Sequence, residues 1–253
     1  MIRKLIQSTV GKFGYRLARK EPVVQEPQPA SQPTYGLEPF LGLLKRYGFE
    51  PKHIVDIGAN RGTWTRRTVQ FFPHAQYTLV EPQDQLKNYI QDLIASGIKI
   101  NWINAGVSDV SGPLPLKVSH RDDSSTFISL PDDGNAPKIL IPVRTLNEIV
   151  SSSNSPMPEM VKIDAEGFDL KVLAGATQLF GKTEVFFVEV VISENNPYEN
   201  TISRMMPTME QAGYHVVDIT DINRSPKYGV LWLCELAFLR NGSPLFDSVT
   251  SYE

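Results

Sequence analysis

The sequence predicts an α/β fold, a doubly wound and mostly parallel Rossmann-like sheet with helices on both faces. Two observations carry that prediction. First, the apolar run Ile54-Val55-Asp56-Ile57 ends in the turn Gly58-Ala59-Asn60-Arg61-Gly62, and a helix-like run over residues 63–72 follows at once. A strand, a glycine turn and a helix in that order form the first crossover of a nucleotide-binding α/β unit, where free N–H groups at the helix start face a ligand. Second, Tyr77-Thr78-Leu79-Val80 reads as the next strand and is closed by Glu81, and strand-like and helix-like runs keep alternating downstream.

The turn carries the first chemistry. Glycine reaches positive φ and lets a ligand approach the backbone, and asparagine is the next most tolerant residue there. Gly58, Ala59, Asn60 and Gly62 are therefore candidate cofactor contacts, with a ligand-free tight turn as the alternative. An acid at the end of the second strand is placed to accept hydrogen bonds from both ribose hydroxyls, which assigns Glu81; otherwise it is a solvated loop carboxylate. A dinucleotide site usually carries Gly-x-Gly-x-x-Gly. Here the middle glycine is replaced by Asn60, and Asp56 adds a carboxylate beneath the turn. That carboxylate disfavours a phosphate and favours a cation, so the charge points to S-adenosylmethionine, with Asp56 on the ammonium side. A nicotinamide-dependent oxidoreductase is the rival enzyme reading. A binding module without catalysis is the other.

A second centre follows. Met160-Val161-Lys162-Ile163 is a buried strand ending at Asp164, and Glu166 lies two residues on. Placed beside the first strand, across the switch point of strand order, both carboxylates face the methyl donor. They suit a general base or an orienting group for an alcohol, or, with a third oxygen, a divalent-cation site. Asp164 could also orient the donor's ammonium or cap the following helix. Glu189, an acid inside the apolar strand at residues 183–192, points into the acceptor pocket or pairs with Lys162 or Lys171. Asn104 follows the third strand, at residues 98–103, where its amide reads an adenine edge or forms a turn. His120 is an alternative base in a polar loop.

Val55-Asp56-Ile57-Gly58-Ala59-Asn60-x-Gly62, Val80-Glu81-Pro82, Val161-Lys162-Ile163-Asp164-Ala165-Glu166-Gly167 and Val172-Leu173-x-Gly175-Ala176 together resemble the FkbM family of S-adenosylmethionine-dependent methyltransferases. The resemblance runs from residue 40 to residue 240. It implies a class I methyltransferase domain with seven strands, the last two forming an antiparallel end. It also implies O-methylation of a hydroxyl, often on a sugar of a glycan or on a secondary metabolite.

Composition bounds the rest. The chain has 253 residues and a formal net charge of −3, which gives no electrostatic case for nucleic acid. The single cysteine, Cys234, leaves no intrachain disulfide and no cysteine zinc cluster, which fits a reducing cytoplasm. No apolar run approaches the ~20 residues of a membrane span.

In order along the chain, residues 1–20 form a basic amphipathic leader suited to peripheral membrane contact or to packing on the domain. Residues 21–36 read as a Pro-rich linker, and residues 37–253 as the folded domain. Residues 83–96 read as one helix, as do residues 145–150, 168–180 and 201–212. Residues 111–143 form an insertion on the acceptor side. It contains two short edge strands at residues 114–118 and 139–143, since proline is tolerated at edges. The last strands, residues 214–219 and 234–239, are joined by a polar loop with Asn223, Arg224 and Lys227.

Overall fold

The computed structural model describes residues 35–118, 125–128, 138–194 and 198–251. The leader, residues 21–34 of the linker, His120, and most of the two loops expected inside the insertion lie outside the described residues.

Helix α1 (Leu37–Arg46) precedes β1 (His53–Ile57), α2 (Thr63–Val69) and β2 (Gln76–Val80). A 3-10 helix (Asp84–Ile90) runs into α3 (Gln91–Ala95), and β3 (Lys99–Ile103) follows. The short strands β4 (Gly106–Val107), β5 (Gly112–Lys117) and β6 (Lys138–Arg144) come next. Then come α4 (Leu146–Ser152), β7 (Met160–Ile163), α5 (Asp169–Ala174), β8 (Val185–Val191), α6 (Ile202–Gln211), β9 (Tyr214–Arg224) and β10 (Leu231–Arg240).

Seven strands form the main sheet in the order β3-β2-β1-β7-β8-β10-β9. The pairs from β3 to β8 are parallel, and β10 is antiparallel to both neighbours, so it is the one reversed strand. Strands β1 and β7 are buried along their whole length, as expected for strands covered on both faces. Alternate side chains serve opposite cores. Val55, Ile57, Val161, Ile163 and Val188 join Leu146, Val172 and Met205 on one face. Ile54, Tyr77, Leu79, Met160 and Phe187 join Leu37, Phe40 and Trp64 on the other. Helices α4 to α6 thus cover one face, and α1 and α2 cover the other.

Several boundaries differ from expectation. Residues 83–96 are two helical pieces, not one helix, and the helix expected over 168–180 is regular only to Ala174. Thr145 stands outside its helix as the cap: its hydroxyl accepts from the Glu148 N–H, and the Glu148 side chain answers to the Thr145 N–H. In the insertion, β6 is the central strand of a three-stranded sheet, between β4 and β5, and not an edge. Pro142 is tolerated because β4 pairs only with Val143 and Arg144, leaving Pro142 open on that side. The final hairpin is longer than expected, so Asn223 and Arg224 belong to β9 and not to the connecting loop.

Candidate active site

The cavity lies outside the carboxyl ends of the parallel strands, at the switch point between β1 and β7. From β1 the chain runs outward through β2 to β3, and later returns to the other side at β7. The cavity is about 310 Å³ and is lined from three strand ends: Gly58, Ala59 and Asn60 after β1, Glu81 after β2, and Asp164, Ala165 and Glu166 after β7. That volume sits at the small end of ordinary small-molecule sites.

The glycine turn owes its composition to packing. Gly58 has φ 70° and Gly62 φ 73°, with Asn60 between them at φ 48°. A Cβ on Gly58 would lie 1.8 Å from the Asp164 carbonyl oxygen, so the glycine lets the β1 and β7 turns pass each other. A Cβ on Gly62 would meet the Ile90 side chain at 2.7 Å, and Gly62 does not line the cavity. Gly58 therefore meets a packing demand as well as lining the cavity, whereas Gly62, expected to make room for a ligand, lies away from it.

Glu81 is 3% exposed and held by the turn it faces. Its Oε2 accepts from the Asn60 N–H at 2.9 Å and its Oε1 from the Gln83 N–H at 2.9 Å. The Gln83 side chain also hydrogen-bonds to this carboxylate, whose four lone-pair sites still exceed these three donors. Burial pushes the Glu81 carboxyl up, and the Gln83 and Asn60 N–H groups pull it back. Asn104 does not line the cavity. Its amide donates to the Glu81 carbonyl at 3.1 Å and the Pro82 carbonyl at 2.8 Å, as the turn-forming alternative has it.

Asp56 is fully buried and does not line the cavity either. Its Oδ2 accepts from the Thr65 hydroxyl at 2.6 Å. Its register partner in β7 is Lys162, whose Nζ lies 3.5 Å from Asp56 Oδ1 and 3.1 Å from Asp164 Oδ2, and donates to the Gly58 carbonyl at 3.1 Å. Burial works against the ammonium, but the Asp164 and Asp56 carboxylates outweigh it, so the net effect holds Lys162 protonated. Burial pushes Asp56 upward, with Lys162 and Thr65 opposing. One ammonium thus ties the floor of the first turn to the carboxylate of the second.

The Asp164–Gly167 turn is built for those carboxylates. Glu166 sits at φ 51° and Gly167 at φ 95°, a left-handed pair that a non-glycine residue rarely joins without cause. Asp169 is buried and accepts from the Ala165 N–H at 3.0 Å, the Gly167 N–H at 3.1 Å and Asn200 Nδ2 at 2.9 Å. Asp164 and Glu166 both line the cavity, as does Glu189. The alternative reading of Glu189, an ion pair with Lys162 or Lys171, does not form; Lys162 instead bridges the two aspartates.

The structure adds residues that the sequence reading did not single out. Lys162, Arg67, Trp64, Asp221 and Glu235 all line the cavity. Glu235 carried the same signal as Glu189, an acid inside an apolar strand. Lys162 carried one too, as a cation in the buried run of β7. Trp64 and Arg67 had none, because helical periodicity does not say which end of a helix meets a cavity.

Among the described residues, six acids line the cavity, Glu81, Asp164, Glu166, Glu189, Asp221 and Glu235, against two cations, Arg67 and Lys162. Arg67 is held bidentate by Glu38 of α1. Both cations are therefore committed, and the space is left negative. Such a site repels a pyrophosphate and suits a donor carrying an ammonium and a sulfonium. Among the described residues, no group of three or more His, Cys, Asp or Glu could hold a metal ion. No helix among them is long and apolar enough to cross a membrane.

The family model described as the Methyltransferase FkbM domain matches residues 56–216. The 2-O-methyltransferase NoeI of Sinorhizobium fredii (strain NBRC 101917 / NGR234) is 23% identical over 163 residues, covering 59% of this chain and 66% of that protein, just under two thirds of its length. Among solved structures, precorrin-6y C5,15-methyltransferase from Geobacter metallireducens GS-15 aligns at 12% identity over 81% of this chain and 88% of its own, with TM-score 0.46. Magnesium protoporphyrin IX methyltransferase from Synechocystis PCC 6803, with bound SAM, aligns at 8% identity over 80% and 76%, with TM-score 0.48.

Proposed function

The chain belongs to the FkbM methyltransferase family, and we propose that it moves a methyl group from S-adenosylmethionine to a hydroxyl of a sugar, glycan or secondary metabolite. The observation that carries this reading is the excess of acids over cations among the described residues that line the cavity at the strand switch point, with Glu81 at the end we assign to the ribose. The likeness to a 2-O-methyltransferase supports oxygen as the atom methylated.

Bound in this site, the donor supplies an electrophilic methyl carbon on a sulfonium. The chain's residues do the rest. Glu81 accepts from the ribose with the lone-pair site that remains. Lys162 ion-pairs with Asp164 and fixes it at the cavity wall, where it would face the donor's positive end. Asp169 keeps the Asp164–Gly167 turn in its left-handed form, so that Glu166 shares the cavity with Glu189. Glu166 and Glu189 are the carboxylates we assign to the acceptor hydroxyl, because both line the cavity beside Asp164. The dinucleotide alternative loses support on the same charge balance.

Calorimetric titration with S-adenosylhomocysteine, run in parallel with NADH, tests the reading. Micromolar binding of the first alone is the expected result. Binding of NADH alone would overturn it.

A further inference from the structure

The acidic row does not end at Asp164. Glu189 of β8 is the register partner of Glu235 of β10, and Glu235 is the partner of Asp221 of β9. Three adjacent strands therefore place one acid each side by side, and all three line the cavity. Directly opposed residues of an antiparallel pair have Cβ atoms about 4.5–5.5 Å apart on one face.

A β-bulge fixes this arrangement. The register steps from Glu235–Asp221 to Leu236–Ile219, leaving Thr220 as the extra residue of β9. Its hydroxyl donates to Glu235 Oε1 at 2.5 Å. Bulges beside active sites commonly re-aim a side chain in this way. Among the described residues, no Lys, Arg or His lies within ion-pair distance of Glu189 or Glu235. The cations that line the cavity are committed elsewhere, Lys162 to Asp56 and Asp164 and Arg67 to Glu38.

Two adjacent carboxylates without a cation cannot both ionise easily, so one keeps a proton. The surroundings point the same way. Burial raises Glu189, and Asp164, Asp169 and Glu166 raise it further, with only Lys162 opposing. Burial pushes Glu235 up to about 7, Asp164 and Asp221 add to this, and Thr220 and Lys162 oppose it. Cys234, beside Glu235, is itself raised by burial and by these acids. Arg67 faces Glu235 and Asp221 from α2.

We infer that Glu189 and Glu235 form a proton-sharing carboxyl pair that takes up the acceptor's hydroxyl proton, with Glu189 as the catalytic base and Glu235 as the positioning residue that tunes it. This rests on the O-methylation reading. In the step, the hydroxyl oxygen bonds to the methyl carbon and the carbon–sulfur bond breaks, with its electron pair staying on sulfur. The hydroxyl proton passes to the ionised carboxylate. The sulfonium and carboxylate charges cancel, leaving a neutral thioether, an ether and a carboxylic acid.

The test uses the full chain labelled with carbon-13 at the glutamate δ-carbon, so that Asp164, Asp169 and Asp221 are silent. Its pH titration is followed by NMR in the wild type, Glu189→Gln and Glu235→Gln. A second arm measures S-adenosylhomocysteine formation across pH with a panel of neutral monosaccharide glycosides.

In the wild type, two glutamates should titrate as a coupled pair, with the upper step near or above neutrality. Glu235→Gln should collapse this to one step for Glu189, at least about one pH unit lower. The acid limb of kcat should move down with it. Glu189→Gln should lower kcat by about 100-fold or more with S-adenosylhomocysteine affinity unchanged. Independent titration of the two glutamates would refute the pair, whatever the turnover. An unmoved pH profile in Glu235→Gln would refute it as well. If Glu189→Gln weakens S-adenosylmethionine binding but not S-adenosylhomocysteine binding, the pair reads the sulfonium charge and the proposal falls. A coupled titration in a wild type that turns over no glycoside would refute the sugar acceptor and leave the pair standing.

Discussion

Replacing Lys162 with methionine removes the ammonium and keeps most of the side-chain volume. Asp56 is then left fully buried, with Thr65 bonded to Oδ2 at 2.6 Å and no hydrogen-bond donor on Oδ1. Breaking a buried pair from one side costs about 3–5 kcal/mol, because the surviving charge is uncompensated. Asp164 contributes less, since its side chain is 32% exposed and water replaces the lost contact. The loss should depend on pH with a definite sign. Asp56 is already pushed upward by burial, and without Lys162 it rises further. A carboxyl whose folded pKa is raised keeps its stability below the unfolded value of about 4. That stability is lost as pH rises through the folded value. Lys162→Met should therefore be close to wild type near pH 4 and fall furthest behind it above neutrality. Urea denaturation at several pH values measures this, and adding Asp56→Asn to Lys162→Met should recover much of the loss. A loss under about 1 kcal/mol that is flat with pH would refute the argument that Lys162 neutralises a buried charge.

Three further outcomes follow from the site. Glu81→Gln keeps the shape of the turn but removes the charge, and should weaken S-adenosylhomocysteine binding by roughly 10-fold or more, the scale of one charged hydrogen bond; equal affinity in calorimetry would remove the ribose role. Gly58→Ala should cost about 1–3 kcal/mol in backbone strain plus a comparable overpacking penalty against Asp164, whereas Gly97→Ala, also at positive φ but with nothing within 4 Å, should cost the strain alone; similar melting temperatures for the two would contradict the close approach. Asp169→Asn sets an amide donor against either the Ala165 N–H or the Gly167 N–H and Asn200 Nδ2 together, and should lose about 1–3 kcal/mol and lower kcat more than it raises KM, as measured by denaturation and steady-state kinetics.

The fold was legible because its signals are local. The run 54–57, its glycine turn and the helix after it define a crossover within twenty residues, and Glu81 follows at a distance set by the same unit. Helix ends were less legible: nothing in residues 83–96 marks the change from 3-10 to α geometry. The role of Gly58 was hidden for a different reason. Its neighbour is the Asp164 carbonyl, more than a hundred residues away, and positive φ alone does not say whether a ligand or a second turn fills the space. Asn104 was ambiguous for a similar reason, since an amide near a strand end satisfies carbonyls of its own turn as readily as a base edge. Asp56 was read as facing the donor's ammonium, and the cation it meets in the structure is Lys162.

That substitution changes what the site selects. With Lys162 bound to Asp56 and Asp164, and Arg67 to Glu38, no cation among the described residues that line the cavity is left to receive an anionic acceptor. A phosphate or carboxylate on the acceptor would have to remain outside, toward solvent, where screening by salt over about 8–10 Å blunts the repulsion. The reacting hydroxyl must then sit on a neutral part of the molecule, beside acids that both donate and accept. A polyol meets that condition and a phosphorylated ring does not. Raising ionic strength should therefore improve KM for any acceptor carrying a remote anion and leave it flat for a neutral one; an anionic acceptor whose KM worsens with salt would show that a cation does reach it.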